Sequence, residues 1–554
     1  MKINAIASNG RARSIGSIAV VCLVALVAGC DAMDNNSAVE APRTGALIGT
    51  SEVNKSGETT ESSGGSGGTT TPEIAPELGF PGTLDYSVPV VLPGCDAPDA
   101  VRISTSSQLV LLSDPNFRVF CIEPGDYRSA GTVTVNDVDG SAAAPRFIRY
   151  DATGTGEDDT LFDSPLSELA MMPNLVLIDS DHWVIDRLAF INVDSTYPIK
   201  LDNSESVVIN RIRMQQNRTG IGFYDGSHES SVQNSLIGDM DLDLVNGNDA
   251  VCVALRGKHS AGTDINIHDV KIVNNEIYNC NDGIQLIHDF GLSYTADFQG
   301  ALIAGNDIYI DSSRYSDCNG NLTPSGPCAC TENAIDLKTG SYNAVNPVLV
   351  TDNRMWGWRR TDRICHSTGS SWGTAIDAHF AVGHTHITKN VMWDNARGIA
   401  LVAGVWDVLI EDNIIRNTFS GFNNEGYALI TADGANRTTV RKNHIVNSVK
   451  WVSAGSPDSR YECNVLIDAG NAVGSTGSGT TTSSNAYFNS GIGALGSGTD
   501  LIEGSASEAE MGQLCVSVSP MRVPGGQEIC LAGVLSTGAF DMGCGSPHWS
   551  TVGD

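Results

Sequence analysis

Basic residues are scarce in this chain. Lys and Arg number 33 against 64 Asp and Glu, a formal net charge of −31. Nucleic-acid affinity rests on neutralising phosphates, so this balance argues against a nucleic-acid partner. It also makes any local basic cluster informative. Long apolar runs are nearly absent: Ile18 to Ala28 is too short to span a bilayer comfortably, and no other segment is long enough. Amphipathic helical periodicity is lacking, which excludes a doubly wound sheet. The leucine spacing of a leucine-rich solenoid is missing too. Cys318, Cys328 and Cys330 lie close together but do not form a C-x-x-C zinc pair.

What is present begins with an export signal. Lys2, Arg11 and Arg13 precede the apolar run, which stops just before Cys30. Val27-Ala28-Gly29-Cys30 resembles the lipobox of bacterial lipoproteins, whose cysteine is lipidated and becomes the new N-terminus. The plainer alternative is an ordinary signal peptide with a stray cysteine. The expectation is a signal peptide over 1–29 and an exported bacterial lipoprotein. It would be a monomer held to a membrane only by lipid on Cys30, on the periplasmic or cell-surface side. Residues 30–82 read as a tether, with SSGGSGGTTTP at Ser62 to Pro72 as its most flexible part. Twelve cysteines remain after Cys22 and Cys30. Export and an even number favour disulfides.

A repeat then dominates. An aliphatic residue, two others, Asn, one other, then Ile or Met recurs. It appears as Val207/Asn210/Ile212, Ile272/Asn275/Ile277, Ile303/Asn306/Ile308 and Val350/Asn353/Met355. It continues as Ile387/Asn390/Met392, Ile410/Asn413/Ile415 and Val440/Asn443/Ile445, with a degenerate copy at Trp183/Asp186/Leu188. Each repeat is too short to bury its own apolar residues, so copies must stack. This predicts an all-β parallel β-helix over 83–455. The Gly, Ser and Thr-rich remainder, 456–554, reads as an irregular last coil and C-terminal cap.

Three segments align on Ile284, Ile335 and Ile376: NDGIQLIHD, ENAIDLKTG and GTAIDAHFA. Side chains alternate faces along a strand. One outward column then reads Gln285, Asp336, Asp377, and the next Ile287, Lys338, His379. Extending the alignment puts Cys252 and Ala254, Gly222 and Tyr224, and Ala400 and Val402 in the two columns. On that alignment the charges are confined to two central coils. Stacked coils lie about 4.8 Å apart, so Asp336 and Asp377 become neighbours. Two adjacent carboxylates repel unless one is protonated or a cation sits between them. Calcium is the expected cation, with Glu332, Asp336 and Asp377 as ligands and Gln285 within reach. Lys338 beside that ion would have its pKa lowered and could act as a base. A surface ion pair is the bland alternative for Asp336 and Lys338.

Between the two central coils lies NRMWGWRRTDRICH, Asn353 to His366. Arg359, Arg360 and Arg363, with Trp356 and Trp358, read as a subsite for an anionic sugar. Guanidinium pairs carboxylates and indoles stack on sugar rings. A salt-bridged loop with its tryptophans in the core is the alternative.

Two stretches carry a family resemblance. Cys121 to Tyr150, with Pro124-Gly125-Asp126-Tyr127 and then Gly140-Ser141 followed by Pro145-Arg146, resembles the opening of many secreted right-handed parallel β-helices. Ile335 to Asn343, IDLKTGSYN, resembles polysaccharide lyase family six, the alginate lyases and chondroitinase B. That family has a Glu-rich I-x-x-x-K-[ST]-x-x-N stretch whose glutamates bind calcium and whose lysine is the base. Here the lysine comes one residue sooner after the isoleucine. The family's catalytic arginine follows a Gly-Thr on a later strand; here Gly373-Thr374 leads to His379. The resemblance implies an acidic polysaccharide as partner and β-elimination as the reaction. Lys338 would be the base and His379 or Tyr224 the acid. A C5-epimerase shares the first half of that chemistry. Two other readings stay open. Asn248-Asp249-Ala250 and Asn281-Asp282-Gly283 resemble turns of β-helix polygalacturonases, which would make Asp249 and Asp282 a hydrolase pair. A non-catalytic carbohydrate-binding surface protein is the third.

Overall fold

The computed structural model describes most of residues 85–503, with short strands at Glu77–Gly79, Met511–Val518 and Gln527–Leu535. Residues 1–76, 241–249, 258–266, 289–296, 312–331, 359–372 and 419–425 are among those outside the description.

Each coil contributes three short strands to three long parallel sheets. One coil runs Ile221–Tyr224, Ser231–Gln233, Leu236–Gly238; the next runs Val251–Gly257, Lys271–Val273, Glu276–Tyr278. Each strand pairs in register with its counterparts above and below. Among the described residues no helix is long and apolar enough to cross a membrane. The chain is a right-handed parallel β-helix, the hand expected of parallel crossovers.

The interior is built from stacked aliphatic rows. On the face that carries the candidate site, one row reads Leu175, Ile199, Ile221, Val253, Ile284, Ile335, Ile376, Ile399, Leu429. All nine are fully buried, and burying such a side chain contributes roughly 1.5–3 kcal/mol.

The recurrent asparagines form a continuous internal ladder. Asn275 donates its amide to Asn306, and the chain of bonds continues through Asn353, Asn390, Asn413, Asn443 and Asn464 to Asn485, each at 2.9–3.0 Å. Each Oδ1 also accepts the backbone N–H of the preceding coil's asparagine, as Asn413 does from Asn390. These bonds satisfy backbone groups at a corner turned away from water.

Four expectations need correction. Asn210 is two residues out of the ladder: it pairs across to Asp186 and Gln233, and the ladder position in its coil is Ile212. Ser235 takes the role in the next coil. The helix also does not stop at 455. Coils continue through Arg460–Glu462, Val465–Ile467, Ala486–Phe488 and Leu501–Glu503. There Tyr461 and Tyr487 fill core positions that aliphatics fill elsewhere. The C-terminal part is not wholly irregular. Met511–Val518 and Gln527–Leu535 pair antiparallel, and Glu77–Gly79, assigned above to the tether, pairs alongside. Finally, residues 85–95 are no coil but a strap across several coils. Tyr86 donates to Asp352, Val88 to Gln233, and Cys95 is bonded to Cys121.

Disulfides are present, as export suggested: Cys95–Cys121 and Cys252–Cys280, with Cys463 also disulfide-bonded.

Removing one rung tests the ladder. Asn390→Ala would orphan the Asn353 backbone N–H and one of its two side-chain N–H groups, now held at 3.1 and 3.0 Å, while the other stays on the Ile303 carbonyl. A buried unsatisfied group costs about 1–3 kcal/mol. The urea midpoint should fall accordingly, while Val345→Ala, at a side chain 92% exposed, should leave it unmoved.

Candidate functional site

The site lies on three neighbouring strands of one face: Asp282–His288, Asn333–Thr339 and Thr374–Thr388. The register aligns Gln285 with Asp336 and Asp336 with Asp377. The alternation of faces is broken near the start of each strand. Ala334 and Ile335 both enter the core, as do Ala375 and Ile376. The break requires a small residue. A Cβ on Gly283 would lie 2.5 Å from the Ala334 carbonyl and 2.7 Å from Ile308. As a result a third outward column, Asp282, Asn333, Thr374, stands beside the other two. Sequence reasoning missed it, although the recurring Gly-Ile and Ala-Ile pairs marked the break.

Asp336 is the hub. Its carboxylate is fully buried. Lys338 Nζ donates to Oδ2 at 2.9 Å and His379 Nε2 to Oδ1 at 2.9 Å. Gln285 Nε2 reaches Oδ2 at 3.2 Å and bridges to Asp282 at 3.0 Å. Asp282 in turn accepts the Asn333 N–H. Lys338 and His379 are 12% and 21% exposed, so both can meet a ligand while Asp336 holds them from behind.

The electrostatics follow. Burial pushes Asp336 up, but the His379 hydrogen bond and the Lys338 charge outweigh it and hold the carboxyl below its ordinary range. Burial pushes Asp377 up to about 6, against the pull of His379 and with the Asp336 charge adding to the rise. Burial lowers His379, but the Asp336 bond and the Asp377 and Asp336 charges raise it above its usual value. Burial lowers Lys338 as well, yet Asp336, Asp282 and Glu332 lift it further than burial pulls it down.

That last direction opposes the expected base. Two of the carboxylates that were to bind calcium, Asp336 and Glu332, instead help keep Lys338 charged. Calcium itself fits poorly. Both Asp336 oxygens are occupied by cationic donors. Among the described residues no group of three His, Cys, Asp or Glu is placed to hold a metal. Glu332 lies within electrostatic reach of Lys338. Among the described residues, Asp377 Oδ1, Asn333 Oδ1 and Thr374 Oγ1 have no hydrogen-bond partner. They are buried acceptors beside the hub.

Other candidates fall elsewhere. Tyr224 aligns with Arg256, and Arg256 with Ile287. It therefore shares the row of Lys338 but lies three strands, roughly 14 Å, from Lys338 at about 4.8 Å per strand. It packs edge-on against Tyr197 and under Lys200. Cys252 is not in the outward columns; Ala254 and Arg256 are, because the face break in that strand falls at Cys252 and Val253. Nor are the charges confined to two coils, since Lys200, Asp202 and Arg256 occupy the same columns further along. Trp358 is fully buried, donating to the Ile308 carbonyl. Trp356 lies on another face, stacked between Tyr309 and Trp393 at 4.3 and 4.7 Å. Arg359, Arg360, Arg363, Asp249 and Cys30 lie outside the described residues.

Neither a protein-family model nor a curated relative matches the chain. Solved structures do. A mannuronic-acid-specific polysaccharide lyase of family 6 from human gut microbiota is 11% identical, with a TM-score of 0.49, covering 74% of this chain and 91% of that one. An alginate lyase from Paenibacillus is 15% identical, with a TM-score of 0.37, covering 62% and 94%. A surface adhesin of Streptococcus pneumoniae, also 15% identical, has a TM-score of 0.36, covering 62% and 76%. The likeness is one of coil architecture, the pectate-lyase-like parallel β-helix.

The hub makes a direct prediction. In an NMR titration His379 should have its midpoint above the usual 6.5 of histidine. Asp336→Asn removes the anion that favours imidazolium, so the midpoint should fall. Lys338→Ala removes a repelling cation, so it should rise. A midpoint unmoved by Asp336→Asn would contradict the assigned contact.

Proposed function

We propose that the chain cleaves an acidic polysaccharide by β-elimination at the Asp336, Lys338, His379 cluster. The observation that supports this reading is one buried carboxylate anchoring a partly exposed lysine and a partly exposed histidine on rigid strands. The roles differ from those the sequence suggested. Lys338, held protonated, faces the uronate carboxylate and stabilises the negative charge that develops there as the C5 proton leaves. His379 gives its Nε2–H to Asp336, which leaves Nδ1 as the base. Nδ1 takes the C5 proton, the electron pair forms the C4–C5 double bond, and the glycosidic oxygen departs from C4. The imidazolium returns its proton to that oxygen on the same face. No step is routed through calcium.

A hydrolase is the second reading. Asp377, pushed up to about 6 beside the ionised Asp336, resembles the acid of a carboxylate pair. Asp249 and Asp282 remain the other pair for that reading, with Asp282 bonded to Gln285 and the Asn333 N–H. Arg359, Arg360 and Arg363 remain proposed contacts for the polymer's carboxylates.

A panel of uronate polymers decides. Ultraviolet absorbance from a 4,5-unsaturated end supports elimination; new reducing ends without it support hydrolysis; retention without turnover supports an adhesin. His379→Ala and Lys338→Ala should each cost roughly 10²–10⁴-fold in kcat. Lys338→Arg should keep part of the activity, because a fixed cation is what the role needs; a dead Lys338→Arg would restore the lysine-base reading. A calcium chelator should leave the rate unchanged.

The anchor is proposed as well. Lipid on Cys30 would hold the enzyme, as a monomer, at a membrane facing the polymer. Cys30→Ser should move the protein from the membrane to the soluble fraction; continued membrane association would place the anchor elsewhere.

A further inference from the structure

The strand Thr374–Thr388 is irregular at the site itself. Leu337 pairs with Ala378, but Thr339 pairs with Ala381. Lys338 therefore faces two residues, His379 and Phe380, in a β-bulge, a device that re-aims side chains. Phe380 has φ +72°, a region that bulky side chains rarely enter. Such a conformation persists only where the surroundings impose it. Here the next coil does so. The Phe380 N–H donates to the Ala403 carbonyl at 2.8 Å. The Phe380 carbonyl lies where a Cβ on Gly404, itself at φ +83°, would come within 1.7 Å.

The result is an aromatic ring turned outward. Phe380 is 54% exposed, with its ring centroid 4.2 Å from that of His379. Among the described residues eight large apolar side chains are exposed, and four of them, Tyr342, Val345, Phe380 and Val402, belong to three successive coils at this corner. Solubility alone would spread them. Tyr342 lies 5.5 Å from Trp406, ring to ring, at the same corner.

We propose that Phe380 is a sugar-binding platform. Its ring stacks on the apolar C–H face of the sugar next to the one that Lys338 and His379 act upon. Gly404 is a positioning residue that lets the bulge form. The inference rests on the proposed function of the site and names how the polymer is held there. The chemistry divides cleanly: Lys338 meets the carboxylate, His379 meets the C5 proton, and the ring meets the pyranose face that carries no charge.

Isothermal titration with alginate and polygalacturonate hexasaccharides tests it, alongside initial rates on the parent polymers. Phe380→Gly removes the ring at a position where glycine adopts the same φ freely, so the melting temperature should hold or rise. The better-bound hexasaccharide should nevertheless lose roughly tenfold in affinity, with KM raised more than kcat is lowered. Phe380→Trp should retain binding. Gly404→Ala should weaken binding with Phe380 intact. Unchanged affinity in Phe380→Gly, or no binding of either hexasaccharide by the native protein, overturns the platform. Native binding without an unsaturated product, lost in Phe380→Gly, would remove the elimination reading and leave the platform standing.

Discussion

Parallel strands stacked in register, one coil per step, are the constraint on which the rest of this molecule depends. No coil can bury its aliphatic side chains alone, so the row from Leu175 to Leu429 exists only as a stack. The same stacking places every polar group beside its own counterpart. Asparagine suits that arrangement because its amide both donates and accepts along one axis. The ladder from Asn275 to Asn485 is the consequence. A carboxylate in a row suffers the opposite fate. Asp336 and Asp377 are adjacent by the same rule, and their repulsion has to be resolved locally.

The fold resolves it with side chains. Lys338 and His379 neutralise Asp336 from two directions, while Asp377 is left with a raised pKa. A buried carboxylate without such partners would be strongly destabilising, because an unpaired charge in the interior is costly. The arrangement is therefore self-consistent without a metal. It also explains why Lys338 and His379 are fixed in position though both are partly exposed. Their mobility is spent on Asp336, which leaves each with one reachable end.

Much of this was legible in the residues, and the limits have physical causes. The coil fold was readable because ladder asparagines and core aliphatics recur at coil-length spacing. The pairing of Gln285, Asp336 and Asp377 was readable because Ile284, Ile335 and Ile376 mark the register. The coil end was misread because Tyr461 and Tyr487 do the work of aliphatics amid Gly, Ser and Thr. The column residue beside Ala254 was misplaced because strict alternation fails at the small-residue break. Direction of charge was hidden too. Whether a lysine is a base or a fixed cation depends on how many carboxylates face it, and Asp282 joins that set only through the extra outward column. Trp358 could not be told from a binding tryptophan, since an indole next to arginines reads alike in a core or a subsite.

The ladder also decides where a site can be built. Along the asparagine ladder the turn between the second and third strands of a coil holds two residues, as between Lys271–Val273 and Glu276–Tyr278, Leu302–Ala304 and Asp307–Tyr309, and Val348–Thr351 and Arg354–Trp356, whereas before the ladder the same corner carries residues 151–169, between Arg146–Tyr150 and Ala170–Met171. A longer turn there would carry its asparagine out of line and break two rungs. Within the ladder, insertions can enter only at the other two corners, which flank the remaining face. The long segments do so: 241–249 and 258–266 border Val251–Gly257, 289–296 follows Asp282–His288, 312–331 precedes Asn333–Thr339, and 359–372 precedes Thr374–Thr388. One face thus stays free to acquire new chain at both ends of its strands while the opposite corner is held invariant. The Asp336 cluster lies on that face.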